Sequence, residues 1–338
     1  MKRLAARLDG RGYDLVVSSD LGRAMATAGA LGRDVESDRR WREINLGSWE
    51  GLSQDEIGMN HPDVAAALER GDDIAFGGGE RLTDLLVRVE DAFSDLVDRL
   101  DDGGRALVVS HGGAIFGLLA LVLGANIRHK LLRLTNTALT TITVDDSGRR
   151  LSVFNDATHL PGSPVRAESG ATHVMVFRHG ETHANVEQRW QGQQPGSLTD
   201  AGRDQARRLG AHVGPLDALY TSPLERARET AALISGGRDL TIEELESLQE
   251  IGFGTWENLT YDEIMAIDPD GLTAMLDGQD LRRGGTGETL AEVRERMTGT
   301  LHDLVNRHRA GTIGVVSHGG STRAFATGIL GLDVAHRH

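Results

Sequence analysis

The sequence predicts an α/β fold that occurs twice. Short runs of β-branched and aliphatic residues alternate with longer segments in which apolar residues recur every three or four positions. Such alternation is typical of a mostly parallel sheet with helices packed on its faces. An internal repeat spans nearly the whole chain, and 338 residues are enough for two domains of ordinary size. We therefore expect two α/β domains in tandem.

The repeat consists of four pairs of segments that occur in the same order in both copies. The pairs are LVVSSDLGRAMATAGALG (15–32) with ALYTSPLERARETAALI (218–234), WREINLGSWEGLSQDEI (41–57) with LQEIGFGTWENLTYDEI (248–264), GGGERL (77–82) with GTGETL (285–290), and LVVSHGGAI (107–115) with GVVSHGGST (314–322). The offset is 203 residues between Arg23 and Arg226 and 207 between His111 and His318. A length difference this small is typical of a surface loop, so the pattern indicates a tandem duplication.

The boundary between the copies is predicted from a segment at 155–173 that has no apolar periodicity and contains proline and glycine. We expect a first domain at 1–160, a linker at 161–171 and a second domain at 172–338. The counterpart of the Arg178-His179-Gly180 strand would lie before Met1, and the second copy stops before the counterparts of two strands expected at 137–144 and 151–154. Both domains are therefore expected to lack one end, with unpaired sheet edges and reduced stability. A strand borrowed from the other copy or from a second molecule, and an incomplete gene model, are alternatives.

The predicted elements follow from local patterns. Strands are expected at Leu15–Val17, Ala106–Val109, Val174–Phe177, Ala218–Tyr220 and Ile313–Val316. Apolar stripes predict helices along Leu82, Leu85, Leu86, Val89, Phe93, Leu96 and Leu100, along Leu224, Ala227, Ala231 and Ile234, and along Leu290, Val293, Met297, Leu301 and Leu304. For the helix that carries Arg226 we expect Ser222 as the N-cap and Pro223 as the first helical residue.

Three polar motifs follow the ends of predicted strands in the second copy. They are Arg178-His179-Gly180, Ser222-Pro223 and Ser317-His318. Ligands of open α/β sheets bind outside the carboxyl ends of the strands, so we expect these motifs to meet at one edge. A helix N-terminus with Arg226 beside it is suited to a phosphate group.

Composition excludes several classes of function. The chain has no cysteine, which excludes thiolate nucleophiles, disulfides and cysteine zinc sites. A net charge of −14 argues against nucleic acid as a partner. The longest nearly uncharged stretch, 114–125, is too short for a membrane helix of roughly 20 residues, and no leader sequence is evident. A cytoplasmic protein without a membrane partner is expected.

The motifs FRHGET, TSPLERARETA, LQEIGFGTWE and VVSHGG, in this order, resemble those of the histidine phosphatase (phosphoglycerate mutase-like) superfamily. Three of the four recur in the first copy. The resemblance implies two phosphoglycerate mutase-like domains, each a three-layer αβα arrangement with a mostly parallel sheet. It implies the following site: His179 as the nucleophile that becomes phosphohistidine, Arg178, Arg226 and His318 as contacts of the phosphoryl oxygens, Glu250 as the proton donor, and Thr182, Asn185 and Gln191 as lesser contacts of the substrate.

General chemistry is compatible with these roles. A neutral imidazole is a competent nucleophile near neutral pH, so His179 must begin unprotonated. Two arginines and a protonated His318 could stabilise the transferring phosphoryl group without a metal or any other cofactor. Glu250 would be protonated part of the time, through burial beside the negative charge of the substrate.

The first copy keeps Arg23, Glu43 and His111 at the corresponding positions but has no counterpart of His179. We expect it to be a degenerate site that can bind an anion and cannot form phosphohistidine. One active site, in the second copy, is predicted.

Hydrolysis of a small phosphorylated metabolite, of the sugar phosphate or phosphoglycerate type, is the favoured function. Mutases of the family resemble phosphatases but carry a longer insertion between the acid and the second histidine; here the interval is short, and glycines at 77–79 and 284–287 suggest an open rim. Phosphoglycerate mutase-type transfer and a non-catalytic module that binds phosphoanions are the alternatives. Arg282 and Arg283 could contact a second anionic group or lie in a solvated loop. A homodimer is possible.

Overall fold

The computed structural model describes residues 1–70, 72–124, 134–160 and 170–332. The chain divides into two units, Met1–Arg166 (unit 1) and Ala167–His338 (unit 2). The predicted linker at 161–171 falls almost entirely on residues 161–169, which lie outside the described residues. No helix in the described part of the chain is long and apolar enough to cross a membrane.

Unit 1 contains a three-stranded parallel sheet and a separate antiparallel hairpin. Its helices are α1 Lys2–Leu8, α2 Gly22–Gly29, α3 Gln54–Asn60, α4 Pro62–Arg70, α5 Leu82–Asp98 and α6 Gly112–Leu123, and its strands are β1 Leu15–Ser18, β2 Glu36–Ser37, β3 Ala106–Val109, β4 Leu139–Asp145 and β5 Gly148–Asp156. The central strand β1 pairs in parallel with β2 and with β3. The strands β4 and β5 pair with each other in an antiparallel sheet.

The core of unit 1 lies between its parallel sheet and helix α5. The stripe predicted for this helix is the one that becomes buried, with Leu85, Val89 and Phe93 packed against Val17. These positions are three or four residues apart, so they fall on one face of the helix. The sheet thereby gains a helical layer on this face.

Unit 2 contains a four-stranded parallel sheet in the order β6-β9-β7-β8. Its helices are α7 His183–Val186, α8 Asp200–His212, α9 Glu225–Ser235, α10 Tyr261–Ile267, α11 Pro269–Leu276, α12 Leu290–Arg307 and α13 Gly319–Leu330, and its strands are β6 His173–Arg178, β7 Ala218–Thr221, β8 Ile242–Glu244 and β9 Thr312–Ser317.

Both faces of the unit 2 sheet are covered by helices. Alternate residues of a strand point to opposite faces, so Val315 of β9 packs with α12 and α13, whereas Val316 packs with α9. On β7, Tyr220 packs on the same face as Val315, and Leu219 packs on the same face as Val316. The result is the expected αβα arrangement, and the predicted α/β fold class is confirmed.

The five strands predicted from β-rich runs are all present, four of them extended by one or two residues, and the strands expected at 137–144 and 151–154 are present as β4 and β5. The short edge strands β2 and β8 were not predicted, because Glu36–Ser37 and Ile242–Glu244 are too short and too polar to carry a period-2 pattern. Within the described residues, β3 and β6 each have one hydrogen-bonded neighbour, β1 and β9 respectively. Among the described residues, β3 and β6 each lie at an edge of their parallel sheet.

The glycine-rich stretches pack against a neighbouring turn, while the open rim stays a prediction. Gly284 has a φ of 52°, and a Cβ there would lie 2.4 Å from the Phe253 carbonyl oxygen. Gly77 of unit 1 repeats this contact, with a Cβ position 2.3 Å from the Leu46 carbonyl oxygen. The two backbones are in direct contact, which leaves no room for any side chain. The glycines therefore fasten this stretch to the turn that follows the predicted acid, Glu250 or Glu43.

We expect Gly284→Ala to destabilise unit 2. A left-handed conformation costs a non-glycine residue roughly 1–2 kcal/mol, and the contact with the Phe253 carbonyl adds to this cost. Gly299→Ala is the matched control, since Gly299 is an exposed position inside α12 with nothing within 4 Å of an added Cβ; it should gain up to about 1 kcal/mol. Thermal and urea unfolding measure both effects. Equal midpoints for the two variants would contradict the prediction.

Candidate active site

Three strand ends of unit 2 place the predicted residues together. His179 follows β6, Ser222 follows β7 and His318 follows β9, which is the strand between them. The His179 and His318 rings lie 5.1 Å apart, centroid to centroid. Arg226 is the second residue of α9, the helix that follows β7. The expected convergence at the carboxyl edge of the sheet is therefore present in the structure.

Two hydrogen bonds define the tautomer of His179. Nδ1 lies 2.7 Å from the Gly180 carbonyl oxygen, which can only accept, so Nδ1 carries the hydrogen. The Arg226 Nε–H group donates to His179 Nε2 over 3.3 Å, so Nε2 carries the lone pair. The ring is thus held with its unprotonated nitrogen directed at a guanidinium group.

The protonation state of His179 follows from its surroundings. Burial lowers the pKa of His179 to about 4, and the positive charges of Arg226 and Arg178 act in the same direction. The hydrogen bond with the Gly180 carbonyl opposes this shift only in part. His179 is therefore neutral near pH 7, as a nitrogen nucleophile must be.

Arg226 is a buried cation that uses three of its five N–H donors, one on each nitrogen. Its side chain is 1% exposed. Nη1 donates to the Gln194 carbonyl oxygen over 3.0 Å and Nη2 to the Gly192 carbonyl oxygen over 2.6 Å. Burial lowers the pKa of Arg226 to about 10, against the attraction of Glu250 and Glu257, so the group remains charged at neutral pH.

His318 is fully buried next to these cations. Its Nε2 lies 2.7 Å from the Ser222 hydroxyl oxygen, while Nδ1 is buried without a hydrogen-bond partner among the described residues. Burial, then the charge of Arg226, then His179 lower the pKa of His318 well below its usual value. The sequence led us to expect a protonated His318. This arrangement instead favours the neutral ring, because a buried charge without a counterion is disfavoured.

Glu250 is held at the N-terminus of α13. Its Oε1 accepts hydrogen bonds from the Ile251 N–H at 2.9 Å and from the Ser321 N–H at 2.9 Å. Its Oε2 accepts one from the Gly320 N–H at 3.1 Å. A Cβ at Gly320 would lie 2.7 Å from Oε1, so only glycine allows the carboxylate this close to the helix. Oε2 therefore accepts fewer backbone hydrogen bonds than Oε1.

An ion pair that the sequence analysis missed fixes the backbone around Glu250. Arg296 of α12 pairs with Glu288 through Nε at 2.8 Å and Nη2 at 3.0 Å, and donates to the carbonyl oxygens of Gln249 at 2.8 Å and Glu250 at 3.2 Å. The same pair recurs in unit 1 as Arg88 with Glu80 at 2.5 Å, eight residues apart in both copies. That repeated spacing was a signal available in the sequence.

Thr182, Asn185 and Gln191 lie in the loop that provides the acceptors of Arg226. Thr182 and Asn185 cap α7 reciprocally, each through its side chain. The Thr182 hydroxyl also donates to Gln191 Oε1 over 3.2 Å, and Gln191 Nε2 donates to the Pro195 carbonyl oxygen over 3.1 Å. These side chains hold the 182–195 loop in shape. Their contact with a substrate stays a prediction.

The remaining arginines differ in availability. Arg178 is exposed and lies beside Gly319 at the start of α13, and its side chain makes no hydrogen bond or ion pair with the described residues. Arg282 pairs with Glu292, and the buried Arg283 donates to the Leu281 carbonyl oxygen over 2.6 Å. Arg282 is exposed, as expected for a solvated loop, whereas Arg283 is 2% exposed, so the solvated-loop alternative is wrong for Arg283. Arg178 is the cation that remains free beside His179.

The expected cap of α9 is wrong. The helix begins at Glu225 with Leu224 as its N-cap, so Pro223 is not its first residue. The Ser222 hydroxyl reaches the Leu224 N–H at 3.3 Å and lies 2.7 Å from His318 Nε2. Ser222 positions the histidine ring, a contact that local sequence cannot reveal.

Comparison with known proteins identifies the family of this chain. The family model of the histidine phosphatase superfamily (branch 1) matches residues 1–157 and 174–338. The chain belongs to this superfamily. The expected resemblance and the assignment to its phosphatases are confirmed, and the two matched segments are consistent with the expected duplication.

Named relatives of this histidine phosphatase match about half of its length. It is 30% identical over 164 residues to phosphoserine phosphatase 1 of Hydrogenobacter thermophilus, which covers 48% of this chain and 78% of the relative. It is 33% identical over 166 residues to a metal-independent phosphoserine phosphatase of Arabidopsis thaliana. That match covers 47% of this chain and 69% of the relative. The solved structure of Bacillus stearothermophilus YhfR aligns with a TM-score of 0.48 at 37% identity, over 49% of this chain and 83% of that one.

Unit 1 of the histidine phosphatase keeps half of the site. His111 Nε2 lies 2.8 Å from the Ser19 hydroxyl, and Glu43 Oε1 accepts from the Gly113 N–H at 2.8 Å, as in unit 2. Arg23, however, is exposed and donates through Nε to His111 Nδ1 over 3.1 Å. In unit 2 the arginine, Arg226, contacts His179. In unit 1 its counterpart Arg23 contacts His111, which is the counterpart of His318. The described residues of unit 1 provide no counterpart of His179.

The lowered pKa of His179 predicts a specific pH dependence of stability. Between pH 6.5 and about 4 the unfolded chain carries a proton on this ring and the folded chain does not, so stability falls as the pH falls through that range. Wild type should lose about 3 kcal/mol more than His179→Gln between pH 7 and 4. Urea unfolding at a series of pH values measures the difference. Parallel stability curves for the two proteins would contradict it.

Proposed function

We propose that unit 2 is a phosphomonoester hydrolase that works through a phosphohistidine at His179. The observation that carries the proposal is the state of His179 Nε2, an unprotonated nitrogen in a buried ring with the Arg226 guanidinium 3.3 Å away. The nucleophile and a cation for the group it attacks are thereby adjacent. Because neither depends on a substrate for its position, the site is preorganised.

The first step transfers the phosphoryl group to the ring. The Nε2 lone pair of His179 attacks phosphorus, the N–P bond forms, and the ester P–O bond breaks. The leaving alkoxide takes a proton from Glu250. Of its two oxygens we assign Oε2 to this proton, since Oε1 already accepts from two backbone N–H groups.

The second step releases phosphate. Water attacks the phosphorus of phosphohistidine while Glu250, now ionised, accepts a proton from it, and the N–P bond breaks to regenerate neutral His179. Glu250 thus alternates between acid and base, and its placement by Gly320 and by the Arg296–Glu288 pair suits both steps.

Charge on the phosphoryl oxygens would be met by three groups. Arg226 is fixed, and Arg178 is free to turn toward the ring. His318 is neutral as the structure stands, but a phosphate dianion beside it would raise its proton affinity, because opposite charges favour the ionised form. We therefore propose that His318 is protonated together with substrate binding. Within the described residues, no cluster of three or more His, Asp or Glu side chains could hold a metal ion.

The substrate is proposed to be a small phosphorylated metabolite. Two relatives that match this chain carry the name phosphoserine phosphatase, which adds phosphoserine to the sugar phosphates and phosphoglycerates considered from the sequence. Binding energy for such a substrate would come mainly from the phosphate, since the charged groups described above are all directed at it. A panel of these three classes of ester, compared by kcat/KM, would rank them.

His179→Ala should abolish hydrolysis, with kcat/KM lowered at least about 1,000-fold, since removal of the nucleophile leaves only binding and electrostatic stabilisation. The N–P bond of phosphohistidine is labile in acid. The protein is therefore trapped with an ester that carries a labelled phosphate and is then separated on an alkaline gel. The label should appear on wild type and be absent from the variant. His302→Ala, an exposed position in α12, is the matched control and should retain both activity and label. Equal turnover in wild type and His179→Ala would refute the assignment.

A chelator should leave hydrolysis unchanged, because arginines and histidine provide the positive charge in the proposed mechanism. The protein is incubated with excess chelator and either a chromogenic phosphate ester or 3-phosphoglycerate. Release of inorganic phosphate supports the hydrolase. Conversion of 3-phosphoglycerate to its 2-isomer without phosphate release would indicate mutase activity instead, and loss of all turnover on chelation would contradict the metal-independent mechanism.

A further inference from the structure

Two backbone carbonyl groups hold Arg226, and only one of them belongs to a peptide group that also has an N–H. Arg226 Nη2 donates to the Gly192 carbonyl oxygen over 2.6 Å, and Nη1 donates to that of Gln194 over 3.0 Å. The nitrogen of the Gln194–Pro195 peptide group carries no hydrogen, because it belongs to proline. The Gly192–Gln193 peptide group has an N–H, so its orientation can also be fixed from the side opposite Arg226.

Glu257 binds that N–H. Its Oε1 accepts from the Gln193 N–H over 3.1 Å and from the Phe253 N–H over 3.0 Å. The oxygen and the hydrogen of a trans peptide group point in opposite directions, so one rigid plane separates this carboxylate from the guanidinium group. Gly192 has a φ of 57°, and a Cβ there would lie 2.5 Å from Glu257 Oε1. The carboxylate therefore packs directly against the peptide group that it orients.

A continuous chain of hydrogen bonds connects Glu257 with the predicted nucleophile. Glu257 accepts from the peptide N–H, the peptide oxygen accepts from Arg226, and the Arg226 Nε–H donates to His179 Nε2 over 3.3 Å. A peptide group whose N–H donates to a charged acceptor is itself a stronger acceptor at its oxygen, because hydrogen bonds in a chain polarise one another. The guanidinium group is planar and rigid, so the bond that orients Nη2 also orients Nε.

The charge of Glu257 acts on Arg226 as well. Burial lowers the pKa of Arg226, and the negative charges of Glu250 and then of Glu257 oppose that shift. Glu257 Oε2 is buried and has no hydrogen-bond partner among the described residues, which is costly for a carboxylate oxygen. A neutral amide can accept the same two N–H groups, so the shape of the loop does not by itself require a carboxylate. The charge is what an amide lacks, and Arg226 is the group that this charge favours in its ionised form.

The loop has other anchors that do not involve Glu257. The Trp190 N–H donates to the Leu259 carbonyl oxygen over 2.8 Å, and the Asn258 N–H donates to the Trp190 carbonyl oxygen over 2.7 Å. The Trp190 ring also packs on the Phe253 ring, with 5.3 Å between their centroids. A neutral residue in place of Glu257 should therefore leave the loop folded.

We propose that Glu257 is a positioning residue of the unit 2 site, whose carboxylate acts through the Gly192–Gln193 peptide group to orient Arg226 toward His179. This inference rests on the proposed function of unit 2. The effect of Glu257 on the reaction passes through the guanidinium group, so it should disappear when that group is replaced.

Glu257→Gln tests the carboxylate, since the amide keeps the size and one acceptor oxygen and removes the charge. We expect kcat and kcat/KM to fall together by about five- to tenfold, because a bond to a charged group that orients Arg226 in the transition state is weakened. Glu263→Gln is the matched control: Glu263 is exposed, accepts from the Thr260 N–H and pairs with Arg189, and its variant should keep the wild-type kcat. Equal kcat values for the two variants overturn the proposal.

A double-mutant cycle with Arg226→Lys separates positioning from a structural role. A lysine ammonium group cannot reproduce the planar arrangement that contacts both carbonyl groups and His179. In this background Glu257→Gln should lower kcat by less than about twofold. A loss as large as the one measured with Arg226 present would assign Glu257 a role independent of the guanidinium group and overturn the proposal.

Urea unfolding of the proteins in this cycle tests the link without turnover. The effects of Glu257→Gln and Arg226→Lys should be non-additive, with a coupling of at least about fivefold in the unfolding equilibrium constant. Additive effects overturn the proposal. If wild type hydrolyses no ester, the proposed function fails, while the unfolding measurement still decides whether Glu257 orients Arg226. If Arg226→Lys does not fold, the comparison of kcat between Glu257→Gln and Glu263→Gln decides it.

Discussion

The candidate site depends on one buried cation, Arg226, and on the carbonyl groups that hold it. An unpaired guanidinium in the interior is costly, and the oxygens of Gly192 and Gln194 reduce that cost while keeping its Nε–H directed at His179. The charge then acts on its neighbours: together with burial it lowers the pKa of His179 and of His318. Burial, reinforced by this guanidinium, thus keeps both rings neutral, and the guanidinium itself lies beside His179.

Unit 1 shows what the same motif does without that burial. Arg23 occupies the equivalent position in α2, yet it is exposed and bonds to His111 in place of a first histidine. The local sequence around both arginines is similar, so the difference arises from the chain that covers Arg226 in unit 2. Burial, which no local pattern encodes, decides whether this arginine serves as an electrostatic element or as a surface side chain.

The repeat made much of the site predictable, because motifs that follow parallel strands must meet at one edge of the sheet. The order of the motifs along the chain was therefore enough to place His179, Arg226 and His318 together. The neutral state of His318 and the bond from Ser222 to its ring could not be predicted, since both depend on residues nearly a hundred positions away. The backbone contact between Gly284 and Phe253 could not be predicted for a related reason: local sequence does not distinguish a glycine required by a close backbone contact from one in an open loop.

The acid and the phosphate need separate positive partners, and the fold provides them. Glu250 occupies the N-terminus of α13, where a partial positive charge accumulates. Its oxygens accept hydrogen bonds from the backbone N–H groups of Ile251, Gly320 and Ser321. Gly320 makes this approach possible, and Gly113 does the same for Glu43 in unit 1. Because the helix satisfies the carboxylate, Glu250 does not need an ion pair with Arg226 or Arg178. Neither arginine forms a hydrogen bond or ion pair with this carboxylate, so both are available to a phosphate dianion in the proposed reaction.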